Sequence, residues 1–202
     1  MKIRFLFYKA AIDGKPLDDA ISLWTFFLAI IRLDIESLKF NYSHVEVWIP
    51  STYEDEFSCI ESDGHTAYGG QCFSSTTRGE CEGVRWAPAN KVLKHPERWV
   101  YQEFEVDDER FEVFFDESMR LVGKKYDYLG LFGFFVPWNT QDKNKWYCSE
   151  ICTWGVRLLN LLPKKKKWYD TELAVRIFGL PYARISPRRL AKVLGGEVHK
   201  LA

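Results

Sequence analysis

Several absences in the 202-residue chain narrow what it can do. Its 28 Lys and Arg residues are matched by 28 Asp and Glu residues, so formal charge gives no argument for binding nucleic acid or an anionic surface. No internal repeat, low-complexity tract or CxxC pair is visible. The longest apolar-rich stretch, residues 20–31, is too short to span a bilayer. These absences favour an ordinary globular protein without a transmembrane segment.

What is present fits one domain with a substantial core. Hydrophobic residues make up 47% of the chain and aromatic residues 16%, and the length makes two domains a stretch. The first ten residues, MKIRFLFYKA, lack the apolar region and cleavage site of a signal peptide, so we expect a cytoplasmic protein. The five cysteines are odd in number, which indicates free thiols in a reducing compartment.

The stretch KWYCSEICTWGVRLL, residues 145–159, predicts a helix with Cys148 in its first turn. One face is formed by apolar or small residues at steps of three and four: Cys148, Ile151, Cys152, Gly155, Leu158, Leu159 and Leu162. The first N–H groups of a helix lack internal partners, and the helix dipole adds partial positive charge there. This position favours the nucleophilic thiolate form of a cysteine.

Taken alone, Cys148 has a simpler interpretation as a buried structural cysteine. A metal site is a weak alternative, because Cys148 and Cys152 are one helical turn apart without a histidine nearby. We therefore expect no metal and no cofactor, and the choice between nucleophile and core residue depends on the rest of the chain.

The stretch NYSHVEVWI, residues 41–49, predicts a strand that carries a candidate base. Alternation places Tyr42, His44, Glu46 and Trp48 on one face, and Ser43, Val45, Val47 and Ile49 on the other. A histidine and a carboxylate on one face are a plausible base and its orienting group. A solvated outer face is an equally ordinary interpretation of the same pattern.

A second carboxylate follows in FSCIESD, residues 57–63. If residues 43–49 and 56–62 pair as a hairpin through a short loop, Glu61 falls opposite His44. This register is an assumption, since a slip by one residue would reverse the faces.

The remaining pattern predicts a mixed α+β domain. Strands are expected at residues 2–8, 83–87 and 99–106, a polar loop at 68–78 and a closing sheet edge at 198–201. Helices are expected at 17–38, at 109–122, from Asp170 or Thr171 to Gly179, and from Ser186-Pro187 to Gly195. The helix at 109–122 should bury one stripe: Phe111, Phe114, Phe115, Met119 and Val122.

Cys148, His44 and Glu61 together have the residue types of a nucleophile, its base and an orienter. At these residues the chain resembles the circularly permuted papain-like amidases, the YaeF/YiiX-like branch of the NlpC-type cysteine peptidases. In that branch the histidine strand, with a pattern like SHVGIY, precedes the cysteine helix, with a pattern like YCSEL.

The matching segments are YSHV at residues 42–45 and YCSEI at 147–151. CIES at 59–62 matches the strand end that bears the family's orienting carboxylate, GKKYDY at 123–128 its GxxYDY stretch, and SPRRL at 186–190 its late helix start. Glu46 departs from the pattern, because the family usually has a small residue there. It could compete with Glu61 for His44.

The resemblance implies one permuted papain-like domain over residues 1–202, with an antiparallel sheet against the cysteine helix and a helical insertion at about 17–38. It also implies a cysteine amidase or peptidase acting through a thioester, with Cys148, His44 and Glu61 as the triad. Beside that triad, Glu46, Tyr147 and Ser149 are candidates for auxiliary roles. The substrate would be a peptide or isopeptide amide, for example in cell-wall peptide.

Two rival functions stay open. One is a thiol-dependent acyltransferase or lipid or ester hydrolase of the same permuted fold, for which aromatic-rich segments at 23–31 and 131–138 could form an apolar groove. The other is a binding domain without catalysis.

Overall fold

The computed structural model describes residues 1–9, 42–51, 59–60, 66–77, 82–132, 142, 144–161 and 185–201. Its strands are β1 Lys2–Lys9, β2 Tyr42–Ile49, β3 Cys59–Ile60, β4 Thr66–Ala67, β5 Gln71–Thr76, β6 Gly83–Pro88, β7 Trp99–Glu105, β8 Lys125–Tyr126, β9 Lys145–Trp146 and β10 His199–Lys200. Its helices are α1 Ala89–Val92, α2 Asp108–Leu121, α3 Tyr128–Phe132, α4 Cys148–Leu158 and α5 Pro187–Leu194, with a 3-10 turn at Pro96–Arg98. The α+β class predicted from the sequence is confirmed.

Six strands form one antiparallel sheet in the order β10-β7-β1-β2-β5-β6. The central strand β1 is buried on both faces over residues 3–8, as its nearly continuous apolar sequence requires. One face carries the larger core, to which α2, α4 and α5 contribute. A smaller cluster, including Leu6, Trp48 and Trp99, covers the other face.

The expected hairpin between residues 43–49 and 56–62 is wrong in the part that the structure describes. The neighbours of β2 are β1 and β5, and His44 pairs with Tyr8 of β1. The two residues of β3 pair instead with β4, in a separate two-stranded sheet. The assumption that adjacent strands in sequence would pair therefore failed, because β1 and β5 occupy both edges of β2.

The polar loop expected at 68–78 is wrong, because residues 71–76 form β5. Phe73 is fully buried, and the adjacent hydroxyl groups are satisfied inside the core. Ser74 Oγ donates to the carbonyl oxygen of Val45 at 2.8 Å, and Ser75 Oγ donates to that of Trp146. Buried hydroxyl groups with backbone partners look polar in sequence although they lie in the core.

The predicted alternation of β2 fails at its first residue. The pairing of β1 with β2 shifts between Tyr8 and Lys9, so that Lys9 pairs with Tyr42 and Ser43 is the extra residue. Tyr42 then joins the larger core and stacks on Phe7, with ring centroids 5.2 Å apart. The bulge therefore moves Tyr42 away from the face on which it was predicted.

Only part of the stripe predicted for α2 is buried. Phe114 is fully enclosed and Phe111 is half-buried, whereas Phe115, Met119 and Val122 are exposed. Phe114 packs between α4 and the sheet, with its ring edge-on to Phe73 at a centroid distance of 5.7 Å. The helix thus uses a narrower contact face than its apolar residues suggested.

The two helix starts that position the site agree with the sequence. α4 begins at Cys148 and ends at Leu158, and Asn160 follows it with a positive φ of 54°. α5 begins after Ser186, whose Oγ accepts the N–H of Arg189 at 3.3 Å, and Gly195 ends it in the left-handed conformation. β10 lies at the sheet edge that was expected at 198–201.

Several expectations lie outside the described residues. They are the helix at 17–38, the helix that should open at 170 or 171, Glu61, and most of the aromatic segments at 23–31 and 131–138. Among the helices that the structure describes, none has both the length and the apolar character to cross a bilayer.

Candidate active site

Cys148 is the first residue of α4, where the helix dipole concentrates positive charge. Tyr147 precedes it in extended conformation, and the Glu150 carboxylate accepts the Tyr147 N–H at 3.4 Å. The Ile151 N–H donates to the Tyr147 carbonyl oxygen at 3.1 Å, which closes the first turn. The sequence therefore fixes the thiol at a helix start, and Cys148 is 4% exposed there.

α4 lies against the part of β2 where the sheet opens. The ladder between β2 and β5 ends at the pair Val47 and Phe73, although both strands continue beyond it. At the opening, the Val45 carbonyl oxygen receives the Ser74 hydroxyl group and also the thiol of Cys152, whose Sγ is 3.6 Å away. This contact fixes α4 beside β2 one turn after Cys148.

The structure brings Cys148 and His44 together. Cys148 lies close enough to His44 to interact with the imidazole and to raise the pKa of His44. His44 is 7% exposed, and its ring lies edge-on to the Trp99 ring at a centroid distance of 6.2 Å. The imidazole is thus held in an almost enclosed position between the thiol and an aromatic wall.

The carboxylate in contact with His44 is Glu46. His44 Nε2 lies 3.1 Å from Glu46 Oε1, and Glu46 is 2% exposed. Since Nε2 is engaged by the carboxylate, Nδ1 is the ring nitrogen available to the thiol. Glu46 was predicted as auxiliary, and the hairpin that favoured Glu61 is absent from the described part of the sheet.

Arg85 of β6 completes this row of charges. Its Nη2 donates to Glu46 Oε1 at 2.8 Å, and its Nη1 donates to Oε2 at 3.3 Å. Sequence reasoning missed Arg85, because a single arginine on a predicted strand carries no signal of its partner. Arg85 pairs with Ser74 on β5, and this small side chain leaves room for the guanidinium group to reach β2.

The surroundings of His44 favour its protonated form. Burial alone lowers the pKa of His44, but the interactions of His44 with Cys148 and with the Glu46 carboxylate outweigh burial and raise that pKa to about 9. Burial likewise raises the pKa of Glu46, but His44 and Arg85 reverse the effect, so its pKa lies below the ordinary value. Glu46 is therefore ionised and His44 protonated at neutral pH.

The two other described thiols, Cys72 and Cys152, lie in surroundings that favour the protonated form. Burial raises the pKa of Cys72 and of Cys152 well above the ordinary value, and the nearby Glu46 carboxylate acts in the same direction. Both are neutral at pH 7. The structure thus distinguishes Cys148 from its neighbours by its contact with a protonated histidine.

The two auxiliary residues beside Cys148 are buried. Burial raises the pKa of Tyr147 well above the ordinary value, so its phenol is neutral. Ser149 is 1% exposed, and its Oγ has no hydrogen-bond partner among the described residues. Neither residue contributes a charge to the site.

Within the part of the chain that the structure describes, no three His, Cys, Asp or Glu residues lie close enough to hold a metal ion. Comparison of the chain with protein-family models, curated proteins and solved structures finds no match. The chemistry of the site is therefore argued from its own geometry. A cysteine at a helix start beside a protonated imidazole is suited to acyl transfer, in which the sulfur attacks a carbonyl carbon and the imidazolium protonates the leaving group.

Proposed function

We propose that the protein is a cysteine hydrolase that cleaves a peptide or isopeptide amide through a thioester. The observation that carries the proposal is the contact of Cys148, at the first turn of α4, with a buried His44 that contacts the ionised Glu46. In this proposal Cys148 is the nucleophile, His44 the general acid and base, and Glu46 the group that orients His44.

The first half of the reaction forms the acyl-enzyme. The Cys148 thiolate attacks the carbonyl carbon, and the carbonyl π electrons move to oxygen. Backbone N–H groups at the start of α4 lack helical partners and are suited to stabilise that oxyanion. When the oxyanion collapses, the carbon–nitrogen bond breaks and the His44 imidazolium gives its proton to the leaving amine.

The second half returns the enzyme to its starting state. Neutral His44 takes a proton from water, and the resulting hydroxide attacks the thioester carbon. The carbon–sulfur bond then breaks, so that the acid leaves and the thiolate faces imidazolium again. Glu46 keeps its charge throughout and stabilises the imidazolium at the start and end of the cycle.

The chain order supports a permuted papain-like arrangement as the finer description of the fold. The histidine strand precedes the cysteine helix, and an antiparallel sheet packs against that helix. This order is that of the permuted amidases that the YSHV and YCSEI segments resemble. A fold does not fix a substrate, so the amide class comes from that resemblance.

The proposal is tested by offering the purified protein small peptide amides and p-nitrophenyl acyl esters of increasing chain length. We expect amide cleavage that is lost in Cys148→Ala and kept in the matched variant Cys152→Ala. Hydrolysis that rises with acyl length, without amide cleavage, would replace the amidase by the acyl-transfer alternative. Activity that survives in Cys148→Ala would remove Cys148 from the mechanism.

A further inference from the structure

Glu46 is a carboxylate enclosed between two cationic side chains. It is 2% exposed, with His44 Nε2 at 3.1 Å on one side and the two-pronged contact of Arg85 on the other. The Arg85 side chain is 17% exposed. A charge removed from water in this way is stable only when it is paired and hydrogen-bonded.

The charges around Glu46 can be counted element by element. His44 on β2 and Arg85 on β6 are the cationic groups in contact with Glu46, and in the proposed mechanism Cys148 at the start of α4 carries the second negative charge. The other titratable groups near Glu46 among the described residues are Cys72 on β5 and Cys152 on α4, and their raised pKa values keep both neutral. Among the described residues, the two negative and two positive charges of the proposed active form therefore sum to zero.

Removal of Arg85 would leave a net negative charge in a nearly closed site. The charges of the thiolate, the imidazolium and the carboxylate would then sum to minus one. The least costly correction is the uptake of one proton, which converts part of the thiolate to thiol or part of the carboxylate to acid. Either change weakens the nucleophile or its base.

We propose that Arg85 is a positioning residue that holds Glu46 against His44 and balances its charge, so that Cys148 stays a thiolate at neutral pH. The inference rests on the proposed function. Arg85 touches neither the thiol nor the imidazole in the described contacts, and its positive charge offsets that of the Glu46 carboxylate.

The test is a double-mutant cycle on the alkylation of Cys148. Iodoacetamide modification is followed by mass spectrometry from pH 4 to 10 in wild type, Glu46→Gln, Arg85→Gln and the double variant. For Arg85→Gln we expect the pH at which the alkylation rate is half-maximal to rise by about one unit relative to wild type. Below that pH, alkylation of the variant should then be roughly tenfold slower than that of wild type. For Glu46→Gln we expect a shift to lower pH, and for the double variant a value near that of wild type.

A return of the double variant to the wild-type pH would show that Arg85 acts by balancing charge. If Arg85 had only a structural role, the second substitution would not restore the wild-type value. Arg85→Lys is the matched control: it keeps the charge without the fork and should stay within a few tenths of a unit of wild type. If Arg85→Gln fails to fold, the effect of Arg85 is measured by comparing Glu46→Gln with the double variant. We expect the pH of half-maximal alkylation to be higher in the double variant than in Glu46→Gln.

Equal half-maximal pH in wild type and Arg85→Gln would overturn the inference, and so would shifts of the same sign in both single variants. Neither result touches the proposed function. That proposal fails instead if Cys148 of the wild-type protein is not alkylated faster than Cys72 and Cys152.

Discussion

At the scale of single residues, the contact of His44 with Glu46 shows that a long side chain can connect two residues whose Cα atoms are far apart on one strand. Residues two apart on a strand have Cα atoms roughly 7 Å apart. The long Glu46 side chain nevertheless brings Oε1 to 3.1 Å from Nε2. The Arg85 fork and the enclosed position then hold it in that rotamer.

The raised pKa of His44 leads to a direct prediction. We expect the His44 imidazole to titrate at about pH 9 in wild type and well below that in Cys148→Ser, because the thiolate is the strongest of the influences that raise this pKa. A raised pKa means that the imidazolium persists to higher pH, so the general acid is charged throughout the neutral range. The measurement is an NMR titration of the imidazole resonances.

Cys152→Ser is the matched control for that titration. Cys152 lies one turn further along α4, and its neutral thiol contacts the Val45 carbonyl oxygen rather than the imidazole. We expect the pKa of His44 to stay at about 9 in this variant. The same titration curve in wild type and Cys148→Ser would contradict the thiolate–imidazolium pair.

The choice of orienting carboxylate gives a second residue-scale prediction. Glu46→Gln should lower kcat for the best substrate by roughly 10²–10⁴-fold, the range of a general-base contribution, with the protein still folded. Glu61→Gln should cause a much smaller loss, since Glu46 is the carboxylate that contacts His44 among the described residues. A larger loss in Glu61→Gln than in Glu46→Gln would return the role to the carboxylate that the family resemblance implies.

Among the elements, the position of α4 decides whether the thiol meets the imidazole. Its thiol Cys152 contacts β2, and Gly155 lies against Phe114 of α2, where an added Cβ atom would be 3.0 Å from Phe114 Cε2. The ring of Phe114 also lies 6.0 Å from that of Trp154 on α4. Phe114 thus joins α4 to the sheet, since its ring packs against both.

This packing predicts unequal effects for two adjacent phenylalanines. Phe114→Ala should lower the free energy of unfolding by about 3–5 kcal/mol, the usual cost of a large cavity in a core. Phe115→Ala, at a position that is 42% exposed, is the matched control and should cost much less. Urea denaturation of both variants measures the difference. Similar losses would contradict the burial assigned to α2.

For the molecule as a whole, the sequence predicted the elements better than their neighbours. Periodicity was sufficient for β1, β2, β6, β7 and the starts of α2, α4 and α5, because each depends on local patterns and caps. It failed for β5, since Ser74 and Ser75 look solvated until the carbonyl groups of Val45 and Trp146 are placed beside them. Strand neighbours are long-range contacts, which a local pattern does not encode.

The same distinction applies to the site. Cys148 and His44 could be predicted because a helix start and a strand face are local features, and their order along the chain matches the permuted amidases. Arg85 could not be predicted, because it lies on β6 and reaches Glu46 of β2 across the strand between them, β5. The hairpin that favoured Glu61 is wrong in its described part for the same reason, and Glu61 itself lies outside the described residues.

The central claim is that Cys148 is the nucleophile of the protein, and its selective alkylation tests this most directly. The protein is treated with limiting iodoacetamide at pH 7, and the five cysteines are quantified by peptide mapping, with His44→Ala as the comparison. We predict that Cys148 is modified first in wild type and loses this advantage in His44→Ala, while Cys72 and Cys152 stay unmodified in both. Label spread evenly over the cysteines, or concentrated on Cys72, would contradict the account.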